Sequence, residues 1–410
     1  MPLAARLRAQ RGPLALVVAG LVAVVAAVVL FLLPSSDRGE REARPLPPVG
    51  AWSDVTALAA VRGTASAVVL GDGNVLVAGG GVGAIALPAA EVFNASTGEW
   101  ASVAPLHEPR RGHRAVVLND GRVLVAGGIA EGSLLASTEV YDPAAGTWSR
   151  TASMSTPRLA HSLSVLADGR VLAAGGTVPP DDGDPASAPI RPVASVEIYD
   201  PKTGAWTPAA SMGSPRFEHT ATPLADGRVL MAGGLAPDGD QALRPLAATE
   251  IYDPAANAFV RGTDLREGRT NHAAARLADG SVLVVGGAGG VNGDVSLSSA
   301  EVFDPRDASW TSVARLRESR TGASATPLVD GRILVAGGES LSRGSRRSLT
   351  SAEVFDASTG AWRSAGSMTC PRSEHDAVRL GDGSVLVVAG DATFPAKAPI
   401  AQSCVDRYRP

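Results

Sequence analysis

The sequence predicts an all-β chain, a closed ring of seven four-stranded antiparallel sheets, on three observations. A unit recurs seven times with a period of about 50 residues, the mark of a repeat architecture. Asp-Gly pairs register the units at Asp72, Asp120, Asp168, Asp226, Asp279, Asp330 and Asp382, each followed by Gly. The tryptophans share one repeat position at Trp100, Trp148, Trp206, Trp310 and Trp362, with Phe259 in the fourth unit, always seven residues beyond another aromatic. In the seventh unit that aromatic is Tyr408, and no tryptophan follows it. Trp52, in Val-Gly-Ala-Trp-Ser ahead of the first unit, fits the open position. A ring of sheets has an exposed seam unless its first and last elements share a sheet, so an N-terminal strand carrying Trp52 is expected to complete the last one.

The third unit reads most clearly, from Arg158 and His161 through Asp168, Gly169, Gly175, Gly176, Glu197, Tyr199, Asp200 and Pro201 to Trp206. Alternating apolar residues such as Ala115 and Val117, then Val123 and Val125, suggest two period-two strands. The Asp-Gly between them suits a tight hairpin because Gly tolerates positive φ. The double Gly ends the second strand where a side chain would block close backbone approach. The third strand opens on a Glu and carries the aromatic, and Asp-Pro-x-x-Gly turns the chain into the fourth strand with its Trp.

With the double Gly and the Tyr and Trp at fixed separation, the units resemble kelch repeats over residues 51–410. The resemblance implies a seven-bladed kelch-type β-propeller, one four-stranded blade per unit. It says little about function, because a fold does not fix one. Kelch propellers resembling this one are mostly interaction modules, with a minority of enzymes. The departures are mild: Ala389-Gly390 replaces the last double Gly, and Ala65 and Ala323 stand where other units have His.

Composition fits this reading, since 45% hydrophobic residues with 4% aromatics and 46 Gly suit many small strands and tight turns. Residues 14–33 form an uncharged apolar run, about the length a helix needs to cross ~30 Å of hydrocarbon. Arg6, Arg8 and Arg11 precede it without an acid, which places residues 1–13 in the cytoplasm as a basic tail and the propeller outside. The alternative is a cleaved signal peptide and a secreted propeller, although Leu33-Pro34-Ser35-Ser36 is a poor cleavage site. Residues 34–50 read as a tether of at most about 60 Å. Without residues 1–36 the chain has 34 basic against 41 acidic residues and no basic stripe, which argues against nucleic acid as a partner. The Arg-rich, Lys-poor, Ala-rich composition suggests a high-GC bacterial genome, and hence periplasm or cell surface.

Cys370 and Cys404 both fall in the seventh unit. An exported compartment permits a disulfide that would pin the closing blade. The other outcome is two unpaired small hydrophobes, since strands one apart are ~10 Å distant and only loop bending joins the sulfurs.

His113, His161, His219, His272 and His375 occupy one repeat position, three after an Arg. One per blade, they are spread around the axis, whereas zinc needs three or four ligands converging near 2 Å. A structural role is expected, and no metal or other cofactor. The repeated Arg is expected to donate hydrogen bonds between blades, paired with the acids Glu91, Glu139, Glu197, Glu250, Glu301 and Glu353. Departures from the repeat carry more information. Phe217, Glu218, Asn271, Ser373 and Glu374 lie between Arg and His where other units have Gly112, Ala160 or Gly322, so Phe217, Glu218, Asn271 and Glu374 are candidates for binding at the axial mouth.

The stretch after the double Gly grows from about 10 residues in units one and two to about 20 in unit three, and variable loops on a rigid scaffold are where binding resides. There Asp181, Asp182, Asp184, Asp238 and Asp240 form an acidic sector, and Arg343, Arg346 and Arg347 a basic one. The Asp-Gly-Asp stretches lack the spacing of a twelve-residue calcium loop.

Copper radical oxidases resembling galactose oxidase need Tyr ligands, one joined to Cys, and sialidases need a Tyr nucleophile. Here Tyr141, Tyr199, Tyr252 and Tyr408 all fall on the repeat aromatic. The sequence therefore points to a non-catalytic, membrane-anchored, monomeric propeller that binds a protein or glycan through its rim loops. The alternative is a carbohydrate-active kelch enzyme such as a sialic acid epimerase, with Glu218 and Glu374 as acid and base.

Overall fold

A computed structural model describes residues 49–178, 191–238, 242–342, 345–393 and 400–410. The basic tail 1–13, the apolar run 14–33 and nearly all of the tether 34–50 lie outside these residues, and no helix among them is long and apolar enough to cross a membrane.

Seven four-stranded antiparallel sheets follow one another along the chain. The third blade shows the pattern: Ser162–Val165 innermost, then Val171–Ala174, Val196–Asp200 and Ala205–Ala209 outermost. Tyr199 stands opposite Trp206 across the outer pair, with ring centroids 5.2 Å apart. Every blade repeats this aromatic pair, and Phe259 takes the Trp place against Tyr252. The expected alternation gives way in the second strands, which are buried along their whole length, as in Val75–Ala78 and Val123–Ala126. Blades stack face to face, so both sides of these strands lie in apolar surroundings and the sequence reads as a continuous Val-Leu run. Leu76 and Ala78 of blade one, for example, share a cluster with Val123, Val125 and Tyr141 of blade two.

The ring closes as Trp52 predicts. Ala51–Val55 pairs antiparallel with Val405–Arg409, Trp52 opposite Tyr408, and forms the outermost strand of blade seven. The indole donates from Nε1 to the Ala365 carbonyl of blade six at 2.7 Å. Trp100, Trp148, Trp310 and Trp362 make the same bond to the preceding blade, at 2.7 to 3.0 Å, so the closing strand does for blade seven what the fourth strand does elsewhere. Across the seam, Ala67, Val75 and Phe93 of blade one pack with Leu386, Val388 and Val405 of blade seven.

Because strands alternate in direction, the first and third turns of every blade share one face of the ring. The second connection and the crossover to the next blade share the other. On that second face the stretch read as variable loop forms a small two-stranded hairpin in each unit, such as Gly81–Val82 with Ile85–Ala86 and Glu339–Ser342 with Ser345–Ser348.

Candidate functional site: the axial mouth and the hairpin face

A buried charged frame sets the mouth in place. The Arg that opens each unit is fully buried. Arg158 donates to the Gly175 carbonyl at 2.7 Å and reaches Glu197 at 3.1 Å, while Glu197 accepts from the backbone amides of Ser155 and Thr156. Seven such pairs occur among the described residues, from 2.5 Å in Arg62–Glu91 to 3.3 Å in Arg320–Glu353. The seventh is Arg372–Asp406 at 2.6 Å, an acid that the Glu pattern does not reveal. Burial lowers the Arg158 guanidinium from its ordinary value and Glu197 opposes that shift. The pairs form within one unit, so the Arg residues are not donors between blades as the repeat suggests. Each fastens its blade's incoming crossover to the second and third strands of the same blade.

Three of the five repeat histidines supply a hydrogen-bonded link between blades. His219, His272 and His375 exchange hydrogen bonds through Nε2 with Ser162, Thr220 and Ser324 of the preceding blade at 2.8 to 2.9 Å. Burial, then the neighbouring Arg, pushes His113, His272 and His375 down to about 3, so they stay neutral. The rings explain the double Gly. A Cβ on Gly127, whose φ is +66°, would lie 2.5 Å from the Arg158 carbonyl oxygen and 2.8 Å from His161 Cε1. Among the described residues, the one cluster of three metal-ligand types is Cys370, Cys404 and Asp406, and its sulfurs are bonded to each other.

Around the axis the residue before each His position forms a ring. Thr64, Gly112, Ala160, Glu218, Asn271, Gly322 and Glu374 all have φ between +48° and +62°. Their backbones join in sequence: the amides of Glu218, Asn271, Gly322 and Glu374 donate to Ala160, Glu218, Asn271 and Gly322, each at 3.0 Å. The left-handed conformation turns these amides tangentially and side chains toward the opening. Gly suits it and Glu pays a steric penalty there, which makes Glu218 and Glu374 departures in conformation as well as charge.

The ring separates two cavities that share Glu218, Asn271 and Glu374. One, of about 480 Å³, continues between the innermost strands and is lined by Arg111, Arg114 and Asp376. The other, a vestibule of about 430 Å³, opens among the hairpins and is lined by Phe217, Leu235, Leu243, Leu341, Glu339 and Asp391. The structure thus brings all four proposed mouth residues together. Thr270 donates to Glu218 at 3.0 Å, and Asn271 donates from its side-chain amide to Glu374. Burial, then the neighbouring Glu374, pushes Glu218 up to about 7, with Thr270 and Arg114 opposing. Burial likewise raises Asp376, which accepts from the Ala67 amide at 2.6 Å, and Asp391.

Sequence reasoning missed Arg114, Asp376, Glu339 and Asp391. The signal was the one that found Glu218, applied at further positions. The residue after His is Ser66, Ser162, Thr220, Ala273 or Ser324 elsewhere, and the residue after the double Gly is Gly81, Ile129, Thr177, Leu235 or Ala288.

The rim sectors are less free than their charges suggest. Arg346 pairs with Glu339 at 3.1 Å, Arg347 with Glu318 at 2.6 Å, and Asp238 with Arg244. Asp181, Asp182, Asp184, Asp240 and Arg343 lie outside the described residues. Apolar exposure is more telling. Among the described residues eight large hydrophobics are exposed, and six of them, Val61, Val82, Ile85, Val291, Val295 and Ile400, lie on the hairpin face.

Cys370 and Cys404 are joined, with Cα atoms 6.6 Å apart. Both sit on loops ahead of strands, which is how residues serving strands one apart approach so closely. Their repeat positions are filled in units two, five and six by a Glu and a Ser: Ser137 donates to Glu108, Ser299 to Glu267 and Ser351 to Glu318. The serines also accept from the buried Arg at about 3 Å, and Cys404 Sγ stands 3.1 Å from Arg372. The disulfide therefore replaces a repeated hydrogen bond at the blade that closes the ring.

Known proteins carry the same repeat. The Kelch motif profile matches residues 110–155, 158–213, 269–317 and 320–369. An F-box/kelch-repeat protein of Arabidopsis thaliana is 39% identical over 112 residues, 27% of this chain and 28% of that protein. Kelch-like protein 35 of Mus musculus is 29% identical over 197 residues, 48% of this chain and 30% of its own length. Kelch-like protein 36 of Rattus norvegicus is 28% identical over 214 residues, 52% of this chain and 33% of its own. The similarity thus spans a third or less of these relatives. A solved fungal alcohol oxidase of the AA5 family, in complex with copper, superposes with a TM-score of 0.69 over 88% of this chain and 76% of its own, at 21% identity, a likeness of fold alone. In this chain all four tyrosines stand in the blade aromatic pairs. The chain carries kelch repeats and folds as a seven-bladed β-propeller.

Proposed function

We propose that this chain is a non-catalytic binding module that holds a macromolecular partner, a protein in the first place and a glycan in the second, on its hairpin face. The observation that carries this reading is the apolar exposure there. The turns of the opposite face are short and alike, and of the large hydrophobics exposed among the described residues only Val329 lies on them, with Val260 on an outer strand. Apolar side chains concentrated on one face mark interaction surfaces. The Kelch-like relatives favour a protein. Co-purification with the tagged full-length chain tests the reading. A specific partner is expected to be lost on Val82→Asp with Ile85→Asp and kept on Val329→Asp; loss on Val329→Asp alone would overturn it.

The same proposal places the propeller outside the cytoplasm of a bacterium, anchored by residues 14–33. The apolar run, its preceding arginines and the Arg-rich composition support it, and a disulfide at the seam suits an oxidising compartment. A reporter active only outside the cytoplasm, fused after Pro410, is expected to be active. Activity of a cytoplasmic reporter alone would contradict the anchor.

A second reading has one observation in its favour. Glu218 is pushed up to about 7 beside a second carboxylate and a cavity, the condition for proton transfer at neutral pH. A sialic acid epimerase acting there would accelerate mutarotation of the free sugar, measured by NMR, and Glu218→Gln would abolish it. No acceleration by the native chain removes this reading.

A further inference from the structure

The vestibule on the hairpin face combines an apolar wall with acids that mostly stand outside any ion pair. Leu235, Leu243 and Leu341 line it together with Phe217. Glu218, Glu374 and Asp391 lie in the same cavity, and among the described residues none of the three forms an ion pair. This contrasts with the seven acids of the blade frame, every one of which meets a buried Arg. Glu339 adds an independent sign. Its side chain is 8% exposed and pairs with Arg346 through Oε2, yet its buried Oε1 has no hydrogen-bond partner. A buried polar atom without a partner is costly, and a donor entering the vestibule would relieve that cost. The carboxylates also repel one another: burial first and Glu374 second raise both Glu218 and Asp391, against the lowering effect of Arg114 and Arg111, and a cation among them would favour their charged forms.

Resting on the binding-module reading, we propose that the vestibule receives a lysine or arginine side chain presented by a loop of the protein partner. The methylene stem meets the leucine wall, and the cationic head meets Glu374, Asp391 and the free oxygen of Glu339. Long basic side chains have this division into an apolar stem and a charged tip. The vestibule, with its four acids and one already paired Arg, selects against an acidic residue at the same place.

The test uses the full-length chain and cyclic Gly/Ser peptides that differ at one central residue, Arg, Lys, norleucine or Glu, with binding read by fluorescence anisotropy. The Arg or Lys peptide is expected to bind at least about tenfold tighter than the norleucine peptide, with the Glu peptide weakest and the preference shrinking as salt rises. Glu374→Gln and Asp391→Asn are each expected to remove most of that preference, while a single cooperative thermal transition no lower than that of the native chain shows that the fold is kept. Equal affinity of the basic and norleucine peptides, or a preference untouched by both variants, overturns the proposal. Binding of n-propylguanidine without binding of any peptide also overturns it, in favour of a free small cation. If the co-purified partner survives both variants but is lost on Val82→Asp with Ile85→Asp, the hairpin-face reading stands and the basic side chain does not.

Discussion

Arg158 and Glu197 show how one residue pair can be both cheap to read and costly to lose. The repeat makes the pairing legible, but it does not say on which blade the partners meet, because recurrence gives position within a unit and not the path between units. Breaking a buried pair by removing one partner costs about 3–5 kcal/mol, since the other charge stays buried. Arg158→Met should fall in that range by urea unfolding, and Arg158→Met with Glu197→Met should cost less. Titration gives a second check at this scale. His113, His272 and His375 are held at about 3 when folded, against 6.5 for a free imidazole, so the unfolded chain binds more protons between those values and stability falls as pH drops through this window. Glu218 acts in the opposite sense. Held at about 7 against 4.5, it retains its proton when the unfolded chain has lost it, so its contribution falls as pH rises from 4.5 to 7. Glu218→Gln is therefore expected to raise the melting temperature at pH 8 and to leave it unchanged at pH 4. The mouth residues Glu218, Asn271 and Glu374 were readable as exceptions to a repeat. Their backbone ring was not, since positive φ at Glu is the reverse of local preference.

At the scale of elements, the hairpins, the double Gly and the aromatic pair were legible because each has a local cause. Gly127→Ala should destabilise the chain by about 1–3 kcal/mol in chemical unfolding, because the new Cβ meets a backbone carbonyl and the His161 ring at a positive φ. The two-stranded hairpins after the double Gly were hidden, since their sequences vary freely once the turn is made. The seam disulfide was open in the sequence for a different reason: strand spacing opposed it, and the loop bend that permits it follows from the Glu and Ser contacts of units two, five and six. Cys404→Ser alone should cost about 2–4 kcal/mol. Cys370→Glu with Cys404→Ser, which rebuilds the hydrogen bond of the sister units, should recover part of that loss and make stability insensitive to dithiothreitol. A double variant no more stable than the single one would count against the equivalence.

For the whole molecule, closure was written in one displaced tryptophan. Beginning the chain at residue 58 instead of 45 removes the strand that pairs with Val405–Arg409 and the bond from Trp52 to blade six, and should lower the melting temperature by about 5–10 °C. Equal midpoints would refute that role for Ala51–Val55. What the ring presents was legible only in outline, because the loops announced a variable face while its apolar exposure depends on how each hairpin folds back. A photo-crosslinking residue placed in turn at Ile85, Val295 and Ile400, and at Val329 on the opposite face, maps the partner in native cells. Adducts at the first three positions and none at Val329 are predicted; adducts at Val329 alone, or equally at all four, would contradict the hairpin face as the place of binding.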